Sequence, residues 1–381
     1  MSRARDIADL SSVSARLDTL GGTEGALSNR NLIINGAMQV AQRGTSSTAN
    51  SGFGILTVDR MYFANSSLDE TAITQAQVAD APSNSGFIYS HKATVTTPET
   101  TLDGSEWGIW NHKVEAQNVT HLGYGTSGAK STTLSFWVKS SITGTYAILV
   151  FVEDSSPARS IVVNYTISAA NTWEYKELSI AGDTGGTGIN HDNGTGLDIY
   201  WTLSAGPDRK GGTTPTVWGD YAQNRGAEGQ TADIVSTNGA TWQITGVQLE
   251  VGDTATDFEH RSYGDELARC QRYYFQSPSY SAGSSGTGAD VILYHTYLKA
   301  ASNWEWLPQE FPVEMRANPT ITTSDGATDG KIGHWTSGGG GSTQGHTPWQ
   351  VLSKTNHVRV NEYATGSIYG FYYNYKADAE L

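Results

Sequence analysis

The chain has 381 residues, enough for two or three domains with a sizeable core. Charged residues make up only 16%, where about 25% is usual, while Gly (43), Tyr (19) and Trp (11) are abundant. This composition is typical of an all-β protein with many turns, and its aromatic content excludes an intrinsically disordered chain. The net charge is −14 and the sequence has no Lys/Arg cluster, which excludes a nucleic-acid partner and disfavours an anionic membrane surface.

Cys270 is the only cysteine, so the sequence excludes an intrachain disulfide and a cysteine-based zinc site. No run of 18 apolar residues occurs, and residues 1–10 lack the apolar core of a signal peptide. We therefore expect synthesis in a cytoplasm and no membrane insertion.

Residues 1–28 form the first predicted segment, and regularly spaced apolar residues predict a helix in it. Gly21-Gly22 ends this helical pattern. The pattern covers only two heptads, and a helix of that length is marginally stable alone, so it needs a partner. Two interpretations are open: the helix packs on its own domain, or it docks on another protein or self-associates. The Gly-rich stretch that follows the helix favours the second interpretation. The pattern consists of apolar residues at spacings of three and four: Ile7, Leu10, Val13, Leu17 and Leu20.

From residue 29 to about 262 the sequence predicts strand after strand. Residues 31–35 (NLIIN) favour a first short strand, and Asn35-Gly36 favours a turn after it. Residues 145–154 (TYAILVFVED) are more uniformly apolar, which suits a central strand.

Residues 131–141 (STTLSFWVKSS) show the clearest alternation of the chain. Alternate side chains of a strand point to opposite faces, so this segment predicts one apolar face and one mixed face. The first face carries Leu134, Phe136 and Val138, and the second carries Thr133, Ser135 and Trp137.

Many short strands with frequent turn signals indicate a β-sandwich or jelly roll, and the absence of a regular repeat argues against a β-helix or propeller. Residues 181–196 and 205–230 are long irregular loops, which often carry binding sites. Strand patterns continue over residues 263–381. The predicted fold class is therefore all-β: a jelly-roll β-sandwich followed by a smaller C-terminal β-sandwich, with a short N-terminal helix.

Several phrases of this sequence occur together in one family of proteins. They are NLIINGAMQVAQRG (31–44), DRMYF (59–63), TLSFWVKSS (133–141), GVQLEVGDTATDFEHRSYGDELARCQRYY (246–274) and FPVEMRANPT (311–320), with YKADAEL at the end. Through them the chain resembles the tail-fibre or fibre-like virion proteins of tailed bacteriophages, particularly those of marine and cyanobacterial phages. The stretch from Gly246 to Tyr274 is the most specific of these phrases.

The resemblance implies a jelly roll like a carbohydrate-binding module over residues 29–262, a C-terminal β domain over residues 263–381 and a homotrimer on the virion. The apolar helical pattern of residues 1–28 favours docking of this segment on tail or capsid proteins. Because the chain begins with the docking segment, we expect the C-terminal domain to be distal and receptor-facing. Release of phage by lysis would place such a protein outside the cell without secretion. The expected function is attachment to the host through a surface glycan or protein. The alternatives are a head or collar decoration fibre without a dedicated receptor and a polysaccharide-degrading tailspike.

Catalytic signatures are missing from the sequence. The patterns His-Glu-x-x-His and Gly-x-Ser-x-Gly do not occur in a suitable context. Glu250, Asp253, Asp257 and Glu259 lie close together, as the carboxylates of a glycoside hydrolase could. A solvated turn after the closing strand is the favoured interpretation of this acidic group. We expect a protein that is not an enzyme and that needs no cofactor.

Residues 191–198 (HDNGTGLD) raise the question of a structural calcium ion. Asp192, Asn193 and Asp198 offer the oxygen ligands that calcium prefers, but their spacing does not match an EF-hand loop. A plain Asn-Gly turn is the favoured interpretation, and no metal site is predicted.

A sugar stacks its C–H face on an aromatic ring while its hydroxyls bond to carboxylates and amides. Exposed tryptophans are therefore the candidate ligand-binding residues, and burial in a core is the competing interpretation for each. Trp107 and Trp110 are three residues apart, so in a strand they face opposite ways and at most one is expected in the core. The candidates are Trp107, Trp110, Trp218 and, flanking a Gly-rich loop, Trp335 and Trp349.

Overall fold

The computed structural model divides the chain into two compact units, residues 1–263 and 264–381. Within the described residues, no helix is long and apolar enough to cross a membrane. The predicted N-terminal helix lies outside the described residues. Those residues are 29–47, 54–212, 216–277, 293–294, 305–324, 333–336, 341–342, 348–351, 354, 356–360, 368–372 and 374–381.

The first unit is a jelly-roll β-sandwich of two antiparallel sheets, as predicted. Its strands are β1 (Tyr62–Ser66), β2 (Ala72–Val78), β3 (Ser90–Thr97), β4 (Trp107–Glu115), β5 (Thr132–Ser140), β6 (Gly144–Val152), β7 (Arg159–Ile167), β8 (Glu174–Ile180), β9 (Thr195–Ala205), β10 (Gly219–Asp220) and β11 (Thr241–Val251). Their order is β1-β4-β9-β6-β7-β10 in the six-stranded sheet and β2-β3-β11-β5-β8 in the five-stranded sheet. Short 3-10 helices span Ala116–Asn118, Thr120–Leu122, Pro207–Arg209 and Gln223–Arg225.

The main core lies between the two sheets and follows the alternation of the strands. On β5, the three apolar side chains Leu134, Phe136 and Val138 are fully buried in this core. Trp137, between them in sequence, lies on the other face of the sheet, so the predicted two-faced strand is confirmed. Hydrophobic burial of this kind contributes about 25 cal/mol per Å² of apolar surface.

The six-stranded sheet is buried on its outer face too, over part of its area. On β6, Ile148 belongs to the main core, whereas Leu149 belongs to a second cluster on the outside of the sheet. This cluster lies beneath residues 206–212 and 216–231, called here the covering loop, which contributes the buried Ala227. Arg209 of this loop donates to the Ser105 carbonyl (2.9 Å). The predicted central position of β6 is confirmed, and its uniform apolarity follows from burial on both faces.

Residues 31–35 contain no strand, since residues 33–35 form bends, so the strand predicted there is wrong. The Asn31 Nδ2 donates to the Val247 carbonyl (3.0 Å), and its Oδ1 accepts from the Leu249 amide (3.1 Å). Asn35 has φ 62° and its carbonyl accepts from the Met38 amide (2.9 Å), which confirms the predicted turn. The Asn31 side chain thus makes hydrogen bonds to β11, whereas a regular strand would make such bonds with its backbone.

The second unit is also mainly β, with one short helix α1 (Tyr263–Gln271) at its start. Its strands are β12 (Tyr274–Gln276), β13 (Leu293–Tyr294), β14 (Glu305–Glu310), β15 (Thr320–Ser324), β16 (Gly333–Thr336), β17 (Gly341–Ser342), β18 (Pro348–Val351), β19 (Asn356–Val360), β20 (Ile368–Tyr372) and β21 (Asn374–Asp378). They pair in the orders β12-β21-β15, β13-β20-β16-β17 and β14-β19-β18. Cys270, the thiol of α1, is buried.

Candidate ligand-binding site

Trp110, on β4, is a core residue. Its side chain is 1% exposed, and its ring meets that of Trp201 edge to face at 4.8 Å between centroids. Its Nε1 donates to the Nδ1 of His91 (2.8 Å). A ring enclosed in this way has no face for a ligand, so the competing interpretation of burial holds for Trp110.

Trp107 lies on the opposite face of β4, as the odd spacing predicted, but it is also buried. The covering loop places the Arg209 guanidinium 4.4 Å from the Trp107 ring centroid, and the indole Nε1 donates to Thr202 Oγ1 (3.2 Å). The ring is 7% exposed. The expectation that at most one of the two tryptophans is buried is wrong, because the covering loop turns the outer face into a second core here.

Trp218 fastens the covering loop to the sandwich. Its Nε1 donates to the Ala181 carbonyl (2.5 Å), and its half-buried ring packs edge to face on Tyr124 at 5.5 Å. These two contacts give Trp218 a structural role, which is to attach the covering loop to the sandwich.

Trp335 and Trp349 belong by backbone to different sheets of the second unit. Trp335 lies in β16 of the four-stranded sheet, and Trp349 lies in β18 of a three-stranded sheet. Their side chains lie outside the described residues. Their assignment to a ligand surface stays a prediction.

The structure brings together another set of aromatic side chains on the outer face of the six-stranded sheet, beside the covering loop. Tyr62 and Tyr221 are 39% and 36% exposed, while Tyr200 and Phe151 are half-buried. Phe151 lies 4.9 Å from Tyr221 and 6.4 Å from Tyr200 between ring centroids. We call Tyr62, Phe151, Tyr200 and Tyr221 the aromatic patch.

Strand register explains how the patch forms. Asn111 on β4 is paired with Tyr62 on β1 and with Tyr200 on β9, so the three side chains share one face in adjacent strands. Adjacent strands are about 4.8 Å apart, which places the two tyrosines roughly 10 Å apart along the row. Phe151 follows on the next strand, opposite Asp198.

Polar groups at the base of the patch hold Tyr200 in place. Asp198, two residues before Tyr200 on β9, is 3% exposed and hydrogen-bonds to the Tyr200 hydroxyl. The Asn111 Nδ2 donates to Asp198 Oδ1 (2.9 Å), and Lys113 Nζ lies 4.0 Å from Oδ2. Burial raises the pKa of Asp198 to about 6, although the bonds from Tyr200 and Asn111 and the charge of Lys113 oppose this rise.

The patch can therefore present ring faces of fixed orientation with polar groups around them. Glu153 is exposed and Lys113 is half-buried beside the rings. Such a surface suits a ligand with both C–H faces and hydroxyls, because the rings take the apolar faces and the polar groups take the hydroxyls.

Sequence reasoning missed the patch, although a signal for it existed. In residues 197–202, apolar Leu197, Ile199 and Trp201 alternate with Asp198, Tyr200 and Thr202. The first three are buried in the main core, so the second three face outward. A tyrosine on the polar face of a strand is a better candidate for ligand contact than a tryptophan beside a loop.

Glu250, near the end of β11, and Glu259, after it, are acidic residues with structural roles. Glu250 is 2% exposed and accepts from the Thr256 amide (2.8 Å) and hydroxyl (2.6 Å). Glu259 accepts from the Arg30 and Asn31 amides (3.2 and 3.0 Å). Only Asp253 and Asp257 are exposed, so a solvated turn describes two of the four residues.

The acidic residues considered for calcium serve other contacts. Asp192 caps a tight turn by accepting from the Gly194 amide (2.7 Å), and Asp198 accepts from the Asn111 side chain at the base of the aromatic patch. Among the described residues, carboxylates of Asp69, Glu99 and Glu106 lie within 4.8 Å of one another. Glu99 accepts from Thr71 Oγ1 (2.9 Å) and Glu106 accepts from the Asp103 amide (2.8 Å).

Comparison with known proteins gives distant structural likenesses only. No family model and no curated protein sequence matches the chain. The enzymatically active domain of tailspike protein 4 of bacteriophage CBA120 aligns over 58% of this chain and 21% of its own, with 13% identity and a TM-score of 0.32. A putative sugar-binding protein from Bacteroides thetaiotaomicron aligns over 58% of this chain and all of its own (12%, TM-score 0.32).

A family 11 carbohydrate-binding module from a cellulosomal cellulase of Clostridium thermocellum aligns over 56% of this chain and 98% of its own (12%, TM-score 0.27). The chain thus spans about a fifth of the tailspike's length and nearly all of the two sugar-binding proteins. At these TM-scores, the likenesses carry no argument about the ligand.

Proposed function

We propose that this protein binds a glycan through the aromatic patch and that it does so without catalysis. The observation that carries the proposal is Tyr200, a ring held by the buried Asp198 on the outer face of the sheet and flanked by exposed Tyr62 and Tyr221. Rings fixed in advance bind at low entropic cost. The sheet offers several of them in a row, which suits a chain of sugars.

The finer proposal is that the protein is an external appendage of a phage virion that attaches to the host surface. The sequence phrases of residues 31–44 and 246–274 support it. In this proposal residues 1–28 join the particle, and the chain works as a homotrimer. A head or collar fibre without a dedicated receptor is the alternative, and it predicts no specific glycan binding.

An array of bacterial surface polysaccharides, with neutral cellohexaose and xylohexaose as defined probes, tests the proposed function. We expect the full chain to bind at least one neutral glycan of this set. Tyr200→Ala should weaken that binding about ten-fold or more, since a stacked ring contributes on the order of 1 kcal/mol or more. Tyr175→Ala, on the opposite sheet, is the matched control and should bind normally.

Retention of normal affinity by Tyr200→Ala and Tyr62→Ala would exclude the patch as the site. Absence of binding to every glycan would contradict the proposal as a whole and favour a decoration fibre. Circular dichroism of each variant separates loss of binding from loss of fold.

Absence of catalysis is tested separately with the glycans that bind. Prolonged incubation should release no reducing ends. Release that disappears in Glu153→Gln or Asp198→Asn would show that the patch is catalytic and would overturn this part of the proposal.

A further inference from the structure

A second concave site lies on the opposite sheet, on the mixed face of β5. It is an open groove of about 420 Å³, within the range of small-molecule sites. Strand register builds its floor, because Trp137 is paired with Tyr175 and Ser135 with Glu177 across β5 and β8. Two segments outside these strands, 85–87 and 255–258, contribute the remaining lining together with Gly246 of β11.

Aromatic rings occupy both sides of this groove. Tyr175 is 45% exposed, and its ring lies 5.4 Å from that of Trp137 at an interplanar angle of 53°. On the other side, Phe87 and Phe258 meet edge to face at 4.9 Å. The groove therefore offers ring faces from two directions to a single bound group.

The charge of the groove has one sign. Glu177 and Asp257 are exposed carboxylates in its lining, whereas its described lining contains no Lys, Arg or His. Glu177 uses Oε1 to accept from the Ala255 amide (2.8 Å), which fixes this carboxylate at the rim. Arg30 is a nearby cation, and it donates to the backbone carbonyl of Asp257 (2.9 Å).

The tyrosine hydroxyl responds to this field. Burial raises the pKa of Tyr175, and the charges of Glu177, Glu250 and Asp257 raise it further, while a hydrogen bond with Ser135 opposes the rise. Three carboxylates thus act on the same point of the groove. An anionic ligand would be repelled there, and a cation would be attracted.

We propose that this groove binds a sugar that carries a protonated amino group. Ring faces of Trp137 and Tyr175 with carboxylates beside them are the arrangement that recognises an organic ammonium ion. The volume exceeds that of a lone ammonium group, and the hydroxyls of Ser85, Ser135 and Thr256 border it. Those hydroxyls would form hydrogen bonds with the hydroxyls of an amino sugar. Choline and simple amines carry fewer hydroxyls or none.

This groove is separate from the aromatic patch, since the two lie on the outer faces of different sheets of one sandwich. Neutral glycans on the patch and amino sugars in the groove would give the unit two sites of different charge preference. The proposal for the groove does not depend on the function proposed for the patch.

Calorimetry with a matched pair of ligands tests the proposal on the full chain. The glucosamine tetramer and its N-acetylated counterpart have the same backbone, and only the first carries amines that can be protonated. In a buffer that keeps those amines protonated, we expect the glucosamine tetramer to bind at least about ten-fold more tightly, with affinity that falls as salt rises. Glu177→Gln, which keeps an acceptor for the Ala255 amide, and Tyr175→Ala should each weaken it several-fold.

Tyr263→Ala, at an exposed tyrosine that lines neither the groove nor the aromatic patch, is the control, and it should leave binding of the glucosamine tetramer unchanged. Equal binding of both tetramers would contradict the claim that the groove recognises the positive charge. Binding of neither tetramer would contradict the claim that the groove is a binding site. Binding of choline without the glucosamine tetramer would overturn the assignment to a sugar. Loss of neutral-glycan binding in Tyr200→Ala alone would concern only the patch, so failure of one proposal is distinguishable from failure of the other.

Discussion

Asp198 combines two roles at the residue scale, since it holds Tyr200 and carries a carboxyl that titrates unusually high. Its folded-state pKa is about 6, above the ordinary aspartate value of 3.8. The folded protein therefore keeps this proton up to about pH 6, while the unfolded chain loses it near pH 3.8. Stability from this group is present at low pH and is lost as pH rises through that window.

We predict that Asp198→Asn removes this pH dependence. Between about pH 4 and 7, the free energy of unfolding of the wild type should fall by roughly 2.4 kcal/mol relative to the variant. Urea unfolding of both proteins over this range measures the difference. A difference that stays constant with pH would show that the carboxyl has an ordinary pKa and would weaken its assigned role as a fixed support for Tyr200.

His91 titrates in the opposite sense within the core. Burial lowers its pKa from 6.5 to about 3, and its Nδ1 must stay unprotonated to accept from Trp110. The unfolded chain takes up a proton below pH 6.5 that the folded protein refuses. Stability is therefore present above this value and is lost as pH falls.

We predict that His91→Gln loses less stability on acidification than the wild type. The wild type should lose roughly 2.3 kcal/mol more between pH 6.5 and 4.5, because the loss approaches about 1.4 kcal/mol per pH unit only below the unfolded pKa. Urea unfolding at both pH values measures this. Equal losses of stability in the two proteins would contradict the lowered pKa of His91. Burial also lowers the pKa of His112, but this histidine is present in both proteins and affects both equally.

At the scale of elements, β11 illustrates how a strand shapes the groove. Gly246 has φ +63°, in the bulge of its pairing with β5. A Cβ at this position would lie 2.7 Å from the Phe87 ring and 3.3 Å from Trp137. Phe87 can therefore approach the sheet only because residue 246 has no side chain.

We predict that Gly246→Ala is more destabilising than Gly239→Ala. Gly239 has φ +75° and open space around it, so both substitutions carry the left-handed backbone cost of about 1–2 kcal/mol, and only the first adds a clash. We expect an additional loss of about 1 kcal/mol and weakened amino-sugar binding for Gly246→Ala alone. Denaturant unfolding and calorimetry measure both effects, and equal losses would show that Phe87 does not rest on residue 246.

The same elements show how far the sequence determined the structure. Alternation predicted the faces of β5, and uniform apolarity predicted the central place of β6, because both patterns report burial directly. Residues 31–35 have a strand-like composition, yet the side chain of Asn31 takes bonds to β11 from more than 200 residues away. Local propensity contains no information about such a partner.

The candidate site was less accessible to sequence reasoning for a related reason. Trp107 looks like a ligand-binding residue until Arg209 and Ala227, about 100 residues later, cover it. The groove depends on Phe87, Tyr175 and Phe258, which come from three distant segments. Aromatic residues on the polar face of a strand, such as Tyr200, were the signal that the sequence did contain.

At the scale of the whole molecule, hydrogen bonds connect the beginning and end of the first unit. Glu259 accepts from the Arg30 and Asn31 amides, and Arg261 donates to the Ile33 carbonyl (3.1 Å). These contacts start at residue 30, so they remain when the segment before them is removed. We therefore expect the sandwich to fold without the segment before residue 29.

We predict that deletion of residues 1–28 leaves a folded protein but abolishes its association. The apolar heptad-like spacing in this segment is the reason to place self-association there, and the sandwich closes without it. Mass measurement in solution should give a trimer for the full chain and a monomer for residues 29–381, with both proteins showing the same unfolding transition of the sandwich. A truncated chain that remains trimeric would locate the association elsewhere, and a monomeric full chain at micromolar concentration would contradict the homotrimer.

Attachment to particles provides the second readout for the same deletion. The truncated protein should keep its glycan affinity yet fail to join virions, because binding depends on the sandwich and docking depends on the deleted segment.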